Sequence, residues 1–405
     1  MHTVTQAIVD DNRGREAERL RIKFAALRAD AFAFYRGTCG LFYRTLELDR
    51  ALQASPAVLA CGDLHTQNFG SYKGDNRLVY FDISDFDEGC VAPLAFDVLR
   101  FLTSLLVGSE ALKISNKVSA ELITEFLDTY AADLMAGKPR WVERALASGP
   151  VKALLQSVRG RHRRDLIKAR TQRKAGKVRL IIDGKRTLAA SAQNRAQAEA
   201  ILTAYGRAQA SADFFEPVDI ARRIAGNGSL GLERYVALVR GNGGRDGQYL
   251  IDIKLGNASA LAAHSRTRQP RWRDEAQRVA TIQTITQAIA PALLGAIALG
   301  KRAYVIKELQ PMADCVNLAA LKGKSGTLKA AVRTMAEVTA WGHLRGCGRY
   351  GAAPVEALAE FAARAAWRRQ ITEGAQRAKH LVLQQWQAYA KDYDAGLLRE
   401  KIKPH

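Results

Sequence analysis

Apolar positions recur at helical spacing through residues 14–50, where Leu20, Phe24, Leu27 and Phe32 stand among charged neighbours. The stretch reads as one or two helices interrupted at Arg36-Gly37. From Pro56 the pattern changes. A short apolar segment, AVLA, runs into the polar stretch GDLHTQNFG, residues 62–70. The turn-like KGDN then leads to the β-prone run Leu78-Val79-Tyr80-Phe81, giving strand, loop, strand. Residues 93–135 and 188–212 are rich in Ala and Leu and read as helical. Between them lie a basic segment and a small hairpin expected at LIIDGKRTL. Near Pro217 a second region begins, in which VDIARRIAG, ERYVALVRG and QYLIDIKLG form three strand-like runs separated by glycine clusters. They predict an antiparallel meander, followed by a helix from about Asp274 to Ile289 and a strand at 303–309. Everything beyond Leu328 reads as helix, and no internal repeat is present.

Composition narrows the class without choosing a function. A chain of 405 residues with 48% apolar content is long enough for two or three compact units with a sizeable core. The five cysteines (Cys39, Cys61, Cys90, Cys315, Cys347) are dispersed and odd in number, which argues against a disulfide framework or a zinc knuckle. The first residues lack the basic-then-apolar layout of a secretory signal, and no run reaches the ~18 apolar residues of a membrane span, so a cytoplasmic location is expected. Sixty-one basic against forty acidic residues leave a net charge of +21, enough to attract polyanions. Much of the surplus lies between Lys152 and Arg186, with His162 inside the cluster and no aromatic residue on which a base could stack. A solvated surface is the plain reading of this segment; engagement of a polyanionic partner is the functional one.

The glycine stretch Gly226-Asn227-Gly228-Ser229-Leu230-Gly231 matches G-x-G-x-x-G. In a dinucleotide fold these glycines open a helix, whereas here they enter the alternating run ERYVALVRG. A glycine loop between antiparallel strands is the arrangement that closes over nucleotide phosphates in protein kinases, and a simple hairpin turn is the alternative. Lys254 ends the third strand-like run, in the position of the phosphate-holding lysine. Glu275, at the start of the following helix, is the candidate to orient it, unless it only complements the helix dipole. In the opening motif Asp63 and Asn68 form D-x-x-x-x-N, the spacing in which an aspartate positions the acceptor hydroxyl and an asparagine holds a metal ion. The following strand ends in Asp82-Ile83-Ser84-Asp85-Phe86-Asp87-Glu88, a source of hard oxygen ligands for Mg²⁺. Asp82 and Asp85 are both carried as metal candidates. His65 is read as a loop-packing residue, and Asp97 as a brace for the catalytic loop. The plain alternative for residues 62–88 is a pair of polar turns flanking a hairpin.

Together these residues resemble the kinase-like superfamily, in particular aminoglycoside and choline phosphotransferases, whose loop reads H-G-D-x-H-x-x-N; Cys61 stands in place of the leading histidine. FAFYRGTCG, GDLHTQNFG, FDISDFDE, GNGSLG, DIKLG and QAYAKDYDAG together are similar to the family numbered 2252 among the domains of unknown function, over nearly the whole chain. The kinase resemblance implies ATP and Mg²⁺ as cofactors. The motif order departs from it, since the glycine loop and Lys254 follow Asp63 by well over a hundred residues. An α+β, two-lobed, circularly permuted kinase-like fold is therefore expected. Residues 1–212 would give the first part of a helical catalytic lobe, 213–312 a β-rich nucleotide-covering lobe, and 313–405 a helical return. The expected function is phosphate transfer to a hydroxyl of a small molecule or protein. AMP transfer, a catalytically silent nucleotide-binding scaffold and charge-driven nucleic-acid binding are the alternatives.

Overall fold

A computed structural model describes residues 1–244, 247–310, 315–316 and 318–398, so the boundary expected between 312 and 313 lies outside the described residues. The chain begins with five helices: α1 (Thr3–Asp11), α2 (Ala17–Ala29), α3 (Ala31–Gly37), α4 (Cys39–Thr45) and the short α5 (Arg50–Gln53). The periodicity suggested one or two helices here, with a break at Arg36-Gly37. One break instead falls at Asp30, which is extended and caps α3 by accepting from the Ala33 N–H at 2.7 Å. Another falls at Thr38, just beyond the expected place.

Four strands follow: β1 (Ala57–Ala60), β2 (Phe69–Lys73), β3 (Val79–Ile83) and β4 (Cys90–Pro93). All their pairings are antiparallel, β1 with β4 and β2 with β3. Ala60 faces Cys90 and Phe69 faces Ile83 across these ladders, so the polar loop 61–68 and the acidic loop 84–89 are anchored side by side at both ends. Helices α6 (Ala95–Ala111) and α7 (Asn116–Ala136) come next, and α6 is buried along most of its length. Hydrophobic residues on all sides suit α6 to the centre of a lobe.

The basic segment is structured. It contains α8 (Gly149–Val158) and α9 (Arg163–Arg170), after the short β5 (Val142–Glu143), and then the hairpin β6 (Thr171–Lys174) and β7 (Lys177–Leu180). The hairpin therefore lies before LIIDGKRTL, where it was expected. Its two-residue turn, Ala175-Gly176, has both φ angles positive (48° and 74°), the conformation that matches strand twist. The end of the expected hairpin forms β8 (Thr187–Leu188), which pairs with the next sheet. Arg179 meets Asp219 at 3.2 Å, and Arg163 stacks 3.7 Å from the centre of the Tyr249 ring, so part of the charge is used inside the fold.

After α10 (Ala192–Arg207), the meander appears as β9 (Pro217–Arg223), β10 (Arg234–Val239) and β11 (Tyr249–Leu255). Then come the short α11 (Ala260–His264), α12 (Glu275–Thr286), β12 (Gly295–Leu299) and β13 (Arg302–Glu308). The result is a curled six-stranded antiparallel sheet ordered β12-β13-β11-β10-β9-β8. Strand β12, which the sequence reading missed, is the small-residue run GAIAL, held by its ladder to β13. Both faces of β10 are buried. Tyr235, Ala237 and Val239 pack with α10, whereas Val236 and Leu238 pack with Ile167 and Leu180 of the basic segment.

From Ser325 to Asp394 the structure is helical apart from short connections, as expected: α13 (Ser325–Gly346), α14 (Val355–Ala363) and α15 (Ala366–Asp394). These helices share one core with α2, α3, α6 and α7. Within it Phe101 stacks on Phe126 with ring centres 4.1 Å apart. The fold is mixed α+β, and among the described residues no helix is long and apolar enough to cross a membrane.

Candidate functional site

The polar loop 61–68 is held from beneath by a fully buried acid. Asp97, in the first turn of α6, accepts from the Cys61 N–H at 2.7 Å and from the Gly62 N–H at 2.8 Å. His343 of α13 meets the same carboxylate at 3.1 Å through Nε2, while its Nδ1 lies 2.7 Å from the Tyr130 hydroxyl. This is the bracing role expected of Asp97. Gly62 is required by geometry: its φ is +79°, and a Cβ there would come within 2.0 Å of the Glu88 carbonyl oxygen.

Asp63 emerges from this support. Its carboxylate is paired with Arg100 of α6, which donates from Nε at 2.8 Å and lies within 2.6 Å through Nη2. Arg100 is fully buried, with its guanidinium 4.2 Å from the Tyr35 ring centre and 4.6 Å from that of Phe42. An aspartate held by an enclosed, fork-shaped cation has a fixed orientation. His65 is buried against Phe32 and its Nδ1 accepts from the Gln67 N–H; burial pushes its pKa down to about 3. A neutral imidazole of this kind packs the loop, as expected.

Asn68 ties the two loops together. Its amide donates to the carbonyls of Asp85 at 3.0 Å and Asp63 at 3.2 Å, while its oxygen accepts from the Ser84 hydroxyl and the Asp85 N–H, both at 2.9 Å. The acidic loop is fixed from its other side by Arg278 of α12, which donates to the carbonyls of Gly89, Asp87 and Asn257.

Facing these loops is one surface of the six-stranded sheet. The glycine stretch joins β9 to β10, as its sequence context predicted, with Gly226 at φ +72° and Gly231 at φ +87°. The Ser229 hydroxyl reaches Asp87 at 3.3 Å, and the Gly228 carbonyl accepts from Arg15 at 2.6 Å and Lys23 at 3.0 Å. On β11, the Lys254 ammonium contacts the Asp87 carboxylate and lies 3.6 Å from Asp85. Burial lowers the pKa of Lys254 and Asp85 opposes the change. Desolvation alone would raise Asp85, but Lys254, Lys307 and Arg234 outweigh it and leave its carboxyl below the ordinary value. One side-chain row along the sheet, Asp252 takes Arg234 in a two-point pair at 2.9 and 2.6 Å and also contacts Arg223.

The two halves enclose a cavity of about 550 Å³, whose lining includes Asp63, Asn68, Asp85, Gly226 and Lys254 among the expected site residues. A second cavity of about 330 Å³ adjoins it and adds Asn227, Gly228 and Ser229. Three expected residues stand elsewhere. Gly231 lies outside both linings, where its carbonyl accepts from the Glu16 N–H at 3.0 Å. Asp82 is buried outside both linings, where it accepts from the Ile83 and Ala288 N–H groups and lies 3.7 Å from Arg345; burial raises it to about 6. As a residue of β3, it points into the protein before the loop turns toward the cavity. Glu275 pairs with Arg278 at 2.6 Å, one helical turn along, and the partners of Lys254 are Asp85 and Asp87 instead.

The sequence reading also missed Arg36, Arg100 and Lys307, and it did not carry Asp87 as a site residue. Arg36 lies inside FAFYRGTCG, a stretch whose local pattern gives it no role. For Arg100 and Lys307 no local signal exists, since each faces the site through a strand or helix that reads as ordinary core.

No curated protein and no solved structure matches the chain. A family model, described as an uncharacterised protein conserved in bacteria, matches residues 15–392, and the chain belongs to that family, DUF2252.

Proposed function

We propose that this chain is an ATP-dependent phosphotransferase with a kinase-like, circularly permuted arrangement, acting on a hydroxyl of a small molecule or protein. One observation carries the reading: the Lys254 ammonium on the third strand of the meander sits on the acids of the loop after β3, 167 residues earlier in the chain. A glycine loop before the second strand, a lysine on the third and a helix before the next two are the parts that hold nucleotide phosphates in kinases. They face a D-x-x-x-x-N loop across one cavity. Fold likeness by itself assigns no chemistry, so the assignment rests on these side chains.

In this reading Lys254 holds the α- and β-phosphates and the backbone of residues 226–231 covers them. Asp85 and Asp87 suit Mg²⁺, which takes one or two carboxylates together with phosphate oxygens. Among the described residues no group of three or more His, Cys, Asp or Glu side chains forms a metal site by itself, so nucleotide oxygens would complete the coordination. Asn68 reaches the same ion only by releasing Ser84 and the Asp85 N–H, which leaves the two aspartates as the principal ligands. When bound, Mg²⁺ neutralises charge on the transferring phosphate. Asp63, fixed by Arg100, orients the acceptor hydroxyl. Such transfer depends on placement and charge stabilisation, which a braced loop supplies.

The test is the melting temperature of wild type and Lys254→Ala with increasing ATP and Mg²⁺. A ligand at a hundred times its dissociation constant stabilises the native state by about 2.7 kcal/mol. Wild type is expected to shift and the variant to shift far less. No shift in wild type, or equal shifts in both, sinks the reading. Mass spectrometry of a labelled product distinguishes phosphate from AMP transfer by the size of the adduct.

A further inference from the structure

Resting on the phosphotransferase reading, we propose that Arg36 is a further catalytic residue, whose guanidinium binds the phosphoryl group in transit between nucleotide and acceptor. Arg36 ends the FAFYR run on α3, in a part of the chain far from both the glycine loop and the acidic loop. It nevertheless lines both cavities, together with Asp63, Asp85 and Asp87, and so stands where they meet.

Among the described cations lining the two cavities, Arg36 is the one with a buried donor that lacks a partner; Arg100 Nη1 is likewise unpartnered but lies outside both linings. Arg15 and Lys23, which also line the second cavity, are committed to backbone carbonyls of the glycine loop. Arg36 donates from Nη1 to Gln67 Oε1 at 2.5 Å, and its Nε is buried with no hydrogen-bond partner. A buried donor without an acceptor is costly and calls for an explanation. Asp63 and Asp85 are close enough to act on its charge, yet neither forms an ion pair with it. An oxyanion arriving between them would supply the missing acceptor. The planar fork of arginine matches phosphoryl oxygens at two points, which a lysine does not.

The step balances with a nucleoside triphosphate and a hydroxyl compound as reactants. The acceptor oxygen forms a bond to the terminal phosphorus while the bond from that phosphorus to the bridging oxygen breaks. The nucleoside diphosphate leaves with the electron pair, the hydroxyl proton passes to Asp63, and Arg36 keeps its protons throughout. Its contribution is to the charge on the equatorial oxygens, the role an arginine finger plays when supplied in cis.

The experiment measures phosphate release from ATP and Mg²⁺, with water as the acceptor, and in parallel the melting shift that ATP and Mg²⁺ produce. Wild type, R36A, R36K and K254A are compared. R36A is expected to keep its nucleotide-dependent shift while releasing phosphate ~10²–10³-fold more slowly, in the range of single charge-stabilising groups. Added millimolar guanidinium should restore part of the R36A rate and none of the K254A rate. R36K should stay at least about tenfold down, because a point charge does not replace the fork. R36A or R36K releasing phosphate at the wild-type rate overturns the proposal, as does a deficit that lies wholly in nucleotide affinity. Should R36A melt too low for assay, R36K decides by the same criterion. A wild type that neither binds nor hydrolyses ATP overturns the phosphotransferase reading and this inference together, whereas normal wild-type turnover with unchanged Arg36 variants overturns this inference alone.

Discussion

Removing Asp63 should do more than stop turnover, because its partner cannot escape to water. Arg100 is fully buried, whereas the Asp63 side chain retains 23% of its exposure. Truncation to alanine strands a guanidinium in the interior, and breaking a buried pair from one side costs about 3–5 kcal/mol. The Tyr35 and Phe42 rings against the cation, and the Tyr35 carbonyl at 3.2 Å, soften the loss. Cation–π contact in a desolvated setting contributes about 2 kcal/mol, so roughly 1–3 kcal/mol remains as the expected cost. For 405 residues the unfolding entropy is about 0.85 kcal/mol/K, which converts this range into a fall in melting temperature of roughly 1–4 °C. The assay is a thermal melt of Asp63→Ala, Arg100→Met and the double variant, read as a double-mutant cycle. The double variant should recover most of the stability, since an apolar side chain replaces the stranded charge, yet remain inactive. An Asp63→Ala protein as stable as wild type, or a double variant no more stable than Asp63→Ala, would refute the buried-pair reasoning.

Two further outcomes follow from the same loops. Gly62→Ala should cost at least about 3 kcal/mol, combining a left-handed backbone with a Cβ driven into the Glu88 carbonyl, whereas Gly226→Ala, whose Cβ would meet nothing closer than 3.7 Å, should cost only about 1 kcal/mol; equal melting temperatures for the two variants would contradict this. Burial, with the nearby Asp63 charge adding to it, raises Glu88 from 4.5 to about 7, although the Ala260 N–H bonded to its carboxylate opposes the rise. The folded state therefore holds a proton that the unfolded state loses first, and stability falls by about 3 kcal/mol as pH climbs from 4.5 to 7. Glu88→Gln, which keeps an oxygen for the Ala260 N–H, should gain in melting temperature over wild type at pH 8 and much less at pH 4.5; a gain independent of pH would dispose of the argument.

Local chemistry made much of the fold legible. The β-prone apolar runs Arg234–Val239 and Tyr249–Leu255, with glycine between the strands, are written at separations of a few residues, and the meander appears where the pattern placed it. The loop between β1 and β2 was readable for the same reason. The strand GAIAL was not, because small residues give no alternation and its place is set by the ladder to β13. Nor was the hairpin turn Ala175-Gly176, which lacks the usual Asn-Gly signal.

The sequence determined which chemical groups are available and which of them sit on loops, strand ends and helix starts. Only the tertiary structure chose among the acids: Asp85 and Asp87 face Lys254, Asp82 faces inward and Glu275 turns to Arg278. It also brought Arg36 and Arg100 to Asp63 from segments that carry no local sign of that contact. The reason is physical. Periodicity and turn chemistry act between near neighbours along the chain, whereas an ion pair spanning 167 residues is fixed by how two packed bodies meet, and many pairings of like composition satisfy the same local pattern.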